Sequence, residues 1–334
     1  MTLLTSPDSF PPGGGDSHDR SRVEALRQVF FDRVLSRISS PMDLLETLNR
    51  VFPAPAGLQE ALDQLDELKR CLDSFRPLNP DQLARLLEAW DTQYTYESNR
   101  IEGNTLTLQE THLVIAKGMT IKGKKLDEHL EARNHQEAIH YIRELASRDT
   151  VLSEYLLNSI HNLVLGGIRP HDAGVYRKQD VTITGARHIP PQTYMVKKLM
   201  EDIFLWYTDQ VGKLHPVLLA ADMHERVVGV HPWIDGNGRT SRLLMNLILM
   251  QHGFPIARIA GDDDARLAYY NALEQAQVEG DSEPFRRLVA SYVRQSLFEF
   301  LAMVSGDMSE EAKGKGGYFF QRMAAGNRQS DATP

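Results

Sequence analysis

The chain has 334 residues, of which 42% are hydrophobic and 8% aromatic, enough apolar material for one large core or two medium ones. A formal net charge of -8 argues against a surface that tracks nucleic-acid phosphates, which wants a basic excess. A single cysteine, Cys71, excludes an intramolecular disulfide and a cysteine-rich zinc site, and no apolar run approaches the ~18 to 20 residues of a membrane span. These features suit a cytoplasmic enzyme with no membrane and no nucleic-acid partner.

The first residues carry Pro11-Pro12-Gly13-Gly14-Gly15 and lack both a charged start and an apolar signal core, so residues 1–20 are expected to form a disordered tail. From 22 to 50, Val23, Leu26, Val29, Phe30, Val34 and Ile38 recur at three-and-four spacing, the buried stripe of one helix. Pro53 and Pro55 end it. A second helical pattern runs from Leu58 to Phe75, in which Cys71 reads as a small apolar residue, and Pro77 and Pro80 interrupt it. A third spans about 81–102 and stops at Gly103-Asn104, residue types that accept a left-handed cap. Thr107 and Glu110 have capping-box spacing for the next helix, and another helix begins near Leu126.

Strand character is confined to 179–189. Val181, Thr182, Ile183 and Thr184 are β-branched, Gly185-Ala186 can turn, and Pro190-Pro191 forbids further ladder donation, so a single β-hairpin is expected in an otherwise helical protein. From about Ser305 the chain is rich in Gly, Ala and charge. Residues 301–334 are therefore expected to be a largely mobile tail, with local docking at Tyr318-Phe319-Phe320.

The chemistry concentrates in twelve residues, His231-Pro232-Trp233-Ile234-Asp235-Gly236-Asn237-Gly238-Arg239-Thr240-Ser241-Arg242. At about 5% usage per residue type, such a run is not expected by chance. Two glycines flanking Asn237 let the backbone present N–H groups to an anion, and the apolar run from Leu243 makes the loop feed a helix N-terminus. Asp235 can hold Mg²⁺, Arg239 and Arg242 lie one turn apart, and His231 has the unperturbed pKa, about 6.5, of a base at neutral pH. Phosphoryl transfer needs these parts in this polarity, with a base at one end and charge clamps at the other. His215, His224 and His231 are nine and seven residues apart, which is not a one-face ligand set, and His224 reads as a packed helix histidine.

At these residues the chain resembles the Fic family, whose signature is His-x-Phe-x-(Asp/Glu)-Gly-Asn-Gly-Arg-x-x-Arg; Trp233 stands where Phe is usual. The resemblance runs from about Glu97 through about Glu299. It implies a mainly α Fic-type core over 91–300, with its inhibitory helix at about 81–102, a flap hairpin at 179–189 and a catalytic loop at 231–242, preceded by a helical N-terminal region over 21–90. It also implies transfer of AMP from ATP to a Ser, Thr or Tyr hydroxyl of a target protein, this chain itself included. His231 would be the base and Asp235 the Mg²⁺ ligand. Gly236, Asn237, Gly238, Arg239, Thr240 and Ser241 would hold phosphates, Arg242 would take the γ-phosphate, and Tyr270 would lie near the adenine. Gln277 stands where relatives often have Asn. Val181 to Thr184 would hold the target by strand addition.

A second match, Ser98-Asn99-Arg100-Ile101-Glu102-Gly103, resembles the family's inhibitory motif. It implies that Glu102 pairs bidentately with Arg242 and takes the γ-phosphate's place. In some relatives the same glutamate serves removal of AMP, and many relatives form homodimers. The motif reads phosphates and not the base, so UTP and CDP-choline remain open as donors. A nucleotide-binding regulatory module without transfer also remains open, although an intact His231 favours the enzyme.

Overall fold

A computed structural model describes residues 17–33, 41–78, 80–148, 150–307 and 309–330. In chain order its helices are α1 (Ser17–Arg33), α2 (Pro41–Val51), α3 (Leu58–Asp73), α4 (Pro80–Ile101), α5 (Leu108–Lys117), α6 (Leu126–Ser147), α7 (Glu154–Leu165), α8 (Thr193–Gln210), α9 (Pro216–Val230), α10 (Asn237–Gln251), α11 (Asp263–Glu274), α12 (Glu283–Ser305) and α13 (Gly317–Ser330), with a π-turn at Gln275–Glu279 and a 3₁₀ turn at Glu310–Ala312. The class is mainly α, as the periodicity predicts. Among the described residues no helix is long and apolar enough to cross a membrane.

The chain divides into two units. One comprises the residues through Ala84, Gly253–Pro255 and the chain from Val293; the other comprises Arg85–His252 and Ile256–Tyr292. In the first unit, the helix expected across 22–50 is two, because Pro41, which lacks an N–H, opens α2. The tail expected for 1–20 lies outside the described residues as far as 16, and Ser17 already begins α1. The largest departure is at the C-terminus. Its glycines and charges suggest mobility, yet α13 forms over Gly317–Ser330, and in the docking expected at 318–320 Phe319 and Phe320 are 0% and 1% exposed and meet Phe30 and Phe75 at ring separations of 5.3 to 5.7 Å. Four aromatic rings outweigh the ordering entropy of a short polar helix. Cys71 lies buried on α3 as a core residue.

In the second unit α10 is the axis. From Leu243 to Met250 it is buried on every side, with α6, α7 and α9 packed around it. Its N-terminus is thereby pinned in the middle of the fold, which positions the loop before it. The Thr107–Glu110 capping box forms as expected, and α4 stops at Gly103 with φ +95°. The inner face of α4 mixes apolar Trp90, Tyr94 and Ile101 with polar Asp91, Thr92, Thr95, Ser98 and Asn99, all buried. Residues 85–101 therefore belong with the second unit, which begins a few residues before the position expected.

The hairpin is not formed. Among the described residues there is no strand, and the only backbone bond within 179–189 is a turn from Ala186 N–H to the Ile183 carbonyl at 3.2 Å. Polar anchors hold the segment instead. Asp180 accepts from Thr193 N–H and Oγ1, both at 2.7 Å, the Arg187 guanidinium spans Glu274 and Glu279, and His188 donates to the Gly229 carbonyl at 2.8 Å. β-Branched alternation specifies an extended chain; it does not supply a second strand.

Replacing Phe319 by Ala is expected to destabilise the first unit by about 3 to 5 kcal/mol in denaturant unfolding. A loss below about 0.5 kcal/mol would show that the C-terminal helix is not part of its core.

Candidate active site

α9 ends on His231, which at φ +51° and ψ +57° is the one non-glycine residue among those described with positive φ. That conformation is costly for a residue with a side chain and turns the chain sharply off the helix. Arg177 holds it there. This guanidinium, 3% exposed, donates Nε to the His231 carbonyl at 2.9 Å and Nη1 to the Gln179 carbonyl and Thr193 Oγ1, while its own backbone N–H donates to the Pro232 carbonyl at 2.9 Å. The His231 ring presents Nδ1 to the Val228 carbonyl at 3.3 Å, which fixes Nδ1 as the protonated nitrogen and leaves Nε2 a lone pair. Burial lowers the His231 pKa, with the Val228 contact and the Glu102 charge opposing it in part.

The middle of the loop is nailed from below. Trp233 is fully buried, donates Nε1 to Asn158 Oδ1 at 3.1 Å, and stacks on His161 at 4.2 Å and 6°. An indole thus repacks beneath the loop where the family pattern has phenylalanine. Asn237 closes a reciprocal pair with the Trp233 backbone, accepting its N–H at 3.0 Å and donating to its carbonyl at 2.9 Å. His161 accepts from Gly174 N–H at 2.8 Å, so its other nitrogen donates to the Asp235 carbonyl at 2.9 Å. That arrangement needs a neutral ring, and burial pushes its pKa down to about 4.

At the mouth, Asp235 is 41% exposed on its side chain and lies 3.5 Å from Arg169 and 3.2 Å from Arg239. Gly236 has φ +75°, and a Cβ there would meet His161 and Val164 at 3.3 Å. Arg239, nearly fully buried, donates Nη1 to Glu131 at 2.9 Å and Nη2 to Asp235 at 3.2 Å. Thr240 and Ser241 are fully buried in the first turn of α10, and neither hydroxyl has a hydrogen-bond partner among the described residues.

Arg242 is 1% exposed. Its Nη2 donates to Glu102 Oε1 and to the Ser98 carbonyl, each at 2.8 Å, its Nε donates to Ser98 Oγ at 3.0 Å, and its Nη1 lies 3.4 Å from the Tyr269 hydroxyl. The carboxylate contact is single and not bidentate: Ser98 takes Nε and the second Nη2 donor, and Nη1 faces the Tyr269 hydroxyl. Burial opposes the charge on Arg242, yet the Glu102 carboxylate and the Tyr269 hydroxyl outweigh it and raise its pKa. Tyr269 is in turn 3.0 Å from Nε2 of the buried His224. Glu102 does more than neutralise Arg242. Its Oε1 would lie 2.2 Å from a Cβ on Gly238, so the carboxylate rests on the glycine cradle itself and only glycine leaves room for it.

Around the site, Tyr270 donates to the Ile101 carbonyl at 3.1 Å and is 45% exposed, and Gln277, on the π-turn, packs over Gly229. Val181 and Ile183 are half-buried and Thr182 and Thr184 exposed, so the alternation expected of a strand survives without a ladder. Sequence reasoning missed Arg177, His161, Asn158, Glu131 and Tyr269. Each acts through contacts 27 to 108 residues away in sequence, and only the place of His161 on the buried face of an amphipathic α7 left a local trace.

A glycine anion loop at the head of a buried helix, with a histidine before it and two arginines behind it, defines a phosphate-handling helical domain. Residues 151–249 match the family model described as Fic/DOC family. The chain is 36% identical over 292 residues to "Protein adenylyltransferase Fic" of Nematostella vectensis, covering 86% of this chain and 66% of that protein. It is 34% identical over 286 residues to the protein of that name in Drosophila mojavensis, covering 85% of this chain and 56% of that one. The chain thus spans just under two thirds of the first relative's length and little more than half of the second's. The solved structure of a fragment of Fic-1 from C. elegans superposes with a TM-score of 0.66 at 30% identity, covering 84% of this chain and 81% of that one. The chain belongs to the Fic/DOC family.

Burial holds His135, His161 and His224 below the ordinary histidine pKa. A depressed folded pKa means that the unfolded chain binds protons first on acidification. Stability is therefore full above about pH 6.5 and is lost as pH falls through the lower folded values. The thermal midpoint is expected to drop between about pH 6.5 and about pH 4.5; a flat or rising midpoint would contradict neutral burial of these rings.

Proposed function

We propose that this chain transfers AMP from ATP to a Ser, Thr or Tyr hydroxyl of a protein and that Glu102 restrains the transfer. The observation that carries the reading is the Glu102 carboxylate resting on Gly238 while bonded to Arg242 at 2.8 Å. Its negative oxygen occupies the place that a helix N-terminus and a buried guanidinium offer to a phosphate.

In this reaction the target hydroxyl oxygen forms a bond to the α-phosphorus, and the bond from that phosphorus to the bridging oxygen of pyrophosphate breaks. His231 Nε2 takes the hydroxyl proton and pyrophosphate leaves with the electron pair. The Gly236, Asn237 and Gly238 backbone and Arg239 would neutralise phosphate oxygens, and Arg242, once released from Glu102, would take the γ-phosphate. Asp235 fits Mg²⁺: it is a half-exposed carboxylate beside a phosphate cradle, and this ion is usually held by one or two carboxylates together with substrate phosphates. When bound there, Mg²⁺ would supply positive charge that neutralises the phosphates.

Val181 to Thr184 have no ladder partner among the described residues, which suits docking of a target backbone by strand addition. Tyr270 would border the adenine. A cytoplasmic setting, rich in ATP and Mg²⁺, fits this chemistry.

The test is labelling with ATP radioactive at the α-phosphate, with Mg²⁺, using wild type, Glu102→Gly and Glu102→Gly/His231→Ala, and with UTP and CDP-choline as competing donors. Weak, strong and absent protein-bound label are expected, with the released enzyme at least about tenfold above wild type, ~1.4 kcal/mol of relief. Labelling unchanged by Glu102→Gly would remove the brake, and labelling from UTP or CDP-choline alone would overturn the donor.

The rate profile gives a second check. Burial lowers the His231 pKa and Glu102 raises it, so without Glu102 the acid limb of kcat/KM should lie below about pH 6.5. A limb at or above about pH 7 would exclude His231 Nε2 as the base.

A further inference from the structure

Arg239 and Arg242 lie one turn apart on α10, and each is held by a carboxylate from a different element. Glu102 holds Arg242 from the end of α4, at 2.8 Å; Glu131 holds Arg239 from α6, at 2.9 Å. The two carboxylates are not independent. The second oxygen of Glu131, Oε2, accepts Asn104 Nδ2 at 2.8 Å, and Asn104 follows Glu102 by two residues across the left-handed Gly103. Asn104 is itself fixed, since its N–H donates to the Asn99 carbonyl at 3.0 Å and its Oδ1 accepts Leu106 N–H at 3.0 Å. A closed circuit results: Arg242, Glu102, Gly103, Asn104, Glu131, Arg239 and back along α10.

We propose that Glu131 is a positioning residue that couples the Glu102 brake to the phosphate cradle, so that the two arginines are released together. The proposal rests on Glu102 acting as a brake. Both ionic contacts in the circuit are made to the groups that nucleotide phosphates would claim. Arg239 Nη1 cannot turn toward a phosphate without weakening its hold on Glu131. That carboxylate is 20% exposed on its side chain, and its other oxygen is the anchor of the segment carrying Glu102. The buried Nε of Arg239 has no hydrogen-bond partner among the described residues, so this guanidinium is not saturated in the resting arrangement and gains donors' worth of contact by moving to an anion. Conversely, displacement of Glu102 strains the Asn104 anchor and frees Glu131 to release Arg239. Two contacts that open more easily together than apart constitute a coupling free energy, and linkage makes it reciprocal.

The consequence is non-additivity. The test measures equilibrium binding of α,β-methylene-ATP with Mg²⁺, whose α–β link cannot be cleaved, to wild type, Glu131→Gln and Asn104→Ala, each with and without Glu102→Gly. Glu131→Gln keeps an acceptor for Asn104 and removes the charge that holds Arg239; Asn104→Ala keeps the Arg239 pair and cuts the circuit on the other side. Thermal midpoints confirm that each variant is folded. In the wild-type background Glu102→Gly is expected to tighten binding about tenfold. In either cut background the gain is expected to shrink to about threefold or less. A gain that stays within about twofold of the wild-type value in both backgrounds overturns the coupling while leaving the brake intact. No gain from Glu102→Gly in wild type overturns the brake and the coupling with it.

Discussion

A guanidinium sealed inside a helical core needs an anion, because burying an unpaired charge costs several kcal/mol. Arg242, at 1% exposure in the middle of the second unit, is that charge, and much of the site follows from it. Ser98 and Glu102 meet it from α4, Tyr269 meets it from α11, and His224 supports the tyrosine. In this resting arrangement the anion is the protein's own. Under the proposed function, a nucleotide phosphate would compete with an established partner and would not fill an empty position.

The proposed competition fits the polar residues that α4 buries beside Trp90, Tyr94 and Ile101. Asp91, Thr92, Thr95, Ser98 and Asn99 are all buried there, and neither polar atom of the Asn99 amide has a hydrogen-bond partner among the described residues. An apolar seam would hold this helix more tightly. A seam that is partly polar and incompletely satisfied is a weaker hold, which would suit the proposed role of α4, to occupy the cradle and also to leave it. The catalytic loop shows the opposite economy. Arg177, Trp233, Asn158, His161 and Asn237 fix it from beneath with direct contacts, so the groups proposed to act on substrate are set before substrate arrives.

What could be read from sequence was what local pattern encodes. The His231 to Arg242 run is contiguous, so its chemistry is visible in one window, and the left-handed stop at Gly103 and the Thr107–Glu110 capping box depend only on neighbours. The supporting residues depend on distant ones. Arg177 is an ordinary arginine until the fold brings the His231 carbonyl to it, and Glu131 is one surface-type glutamate on a helix until Arg239 and Asn104 arrive. The hairpin failed for the same reason in reverse: alternation at Val181 to Thr184 is local, but a ladder needs a partner, and Asp180, Arg187 and His188 spend the flanking polar groups elsewhere. At the C-terminus the docking of Phe319 and Phe320 was legible, but the helix of Gly317–Ser330 around them was not, because composition averages over residues.

The central claim is that Glu102 and the terminal phosphate of ATP compete for Arg242. A crystal structure of the unmodified chain with Mg²⁺ and α,β-methylene-ATP tests it most directly. The account predicts that Arg242 Nη2 remains bonded to Glu102 and that the terminal phosphate lies beyond its reach. A terminal phosphate bonded to Arg242 while Glu102 keeps its contact would contradict the account, since the two anions would then share the arginine and no competition would exist.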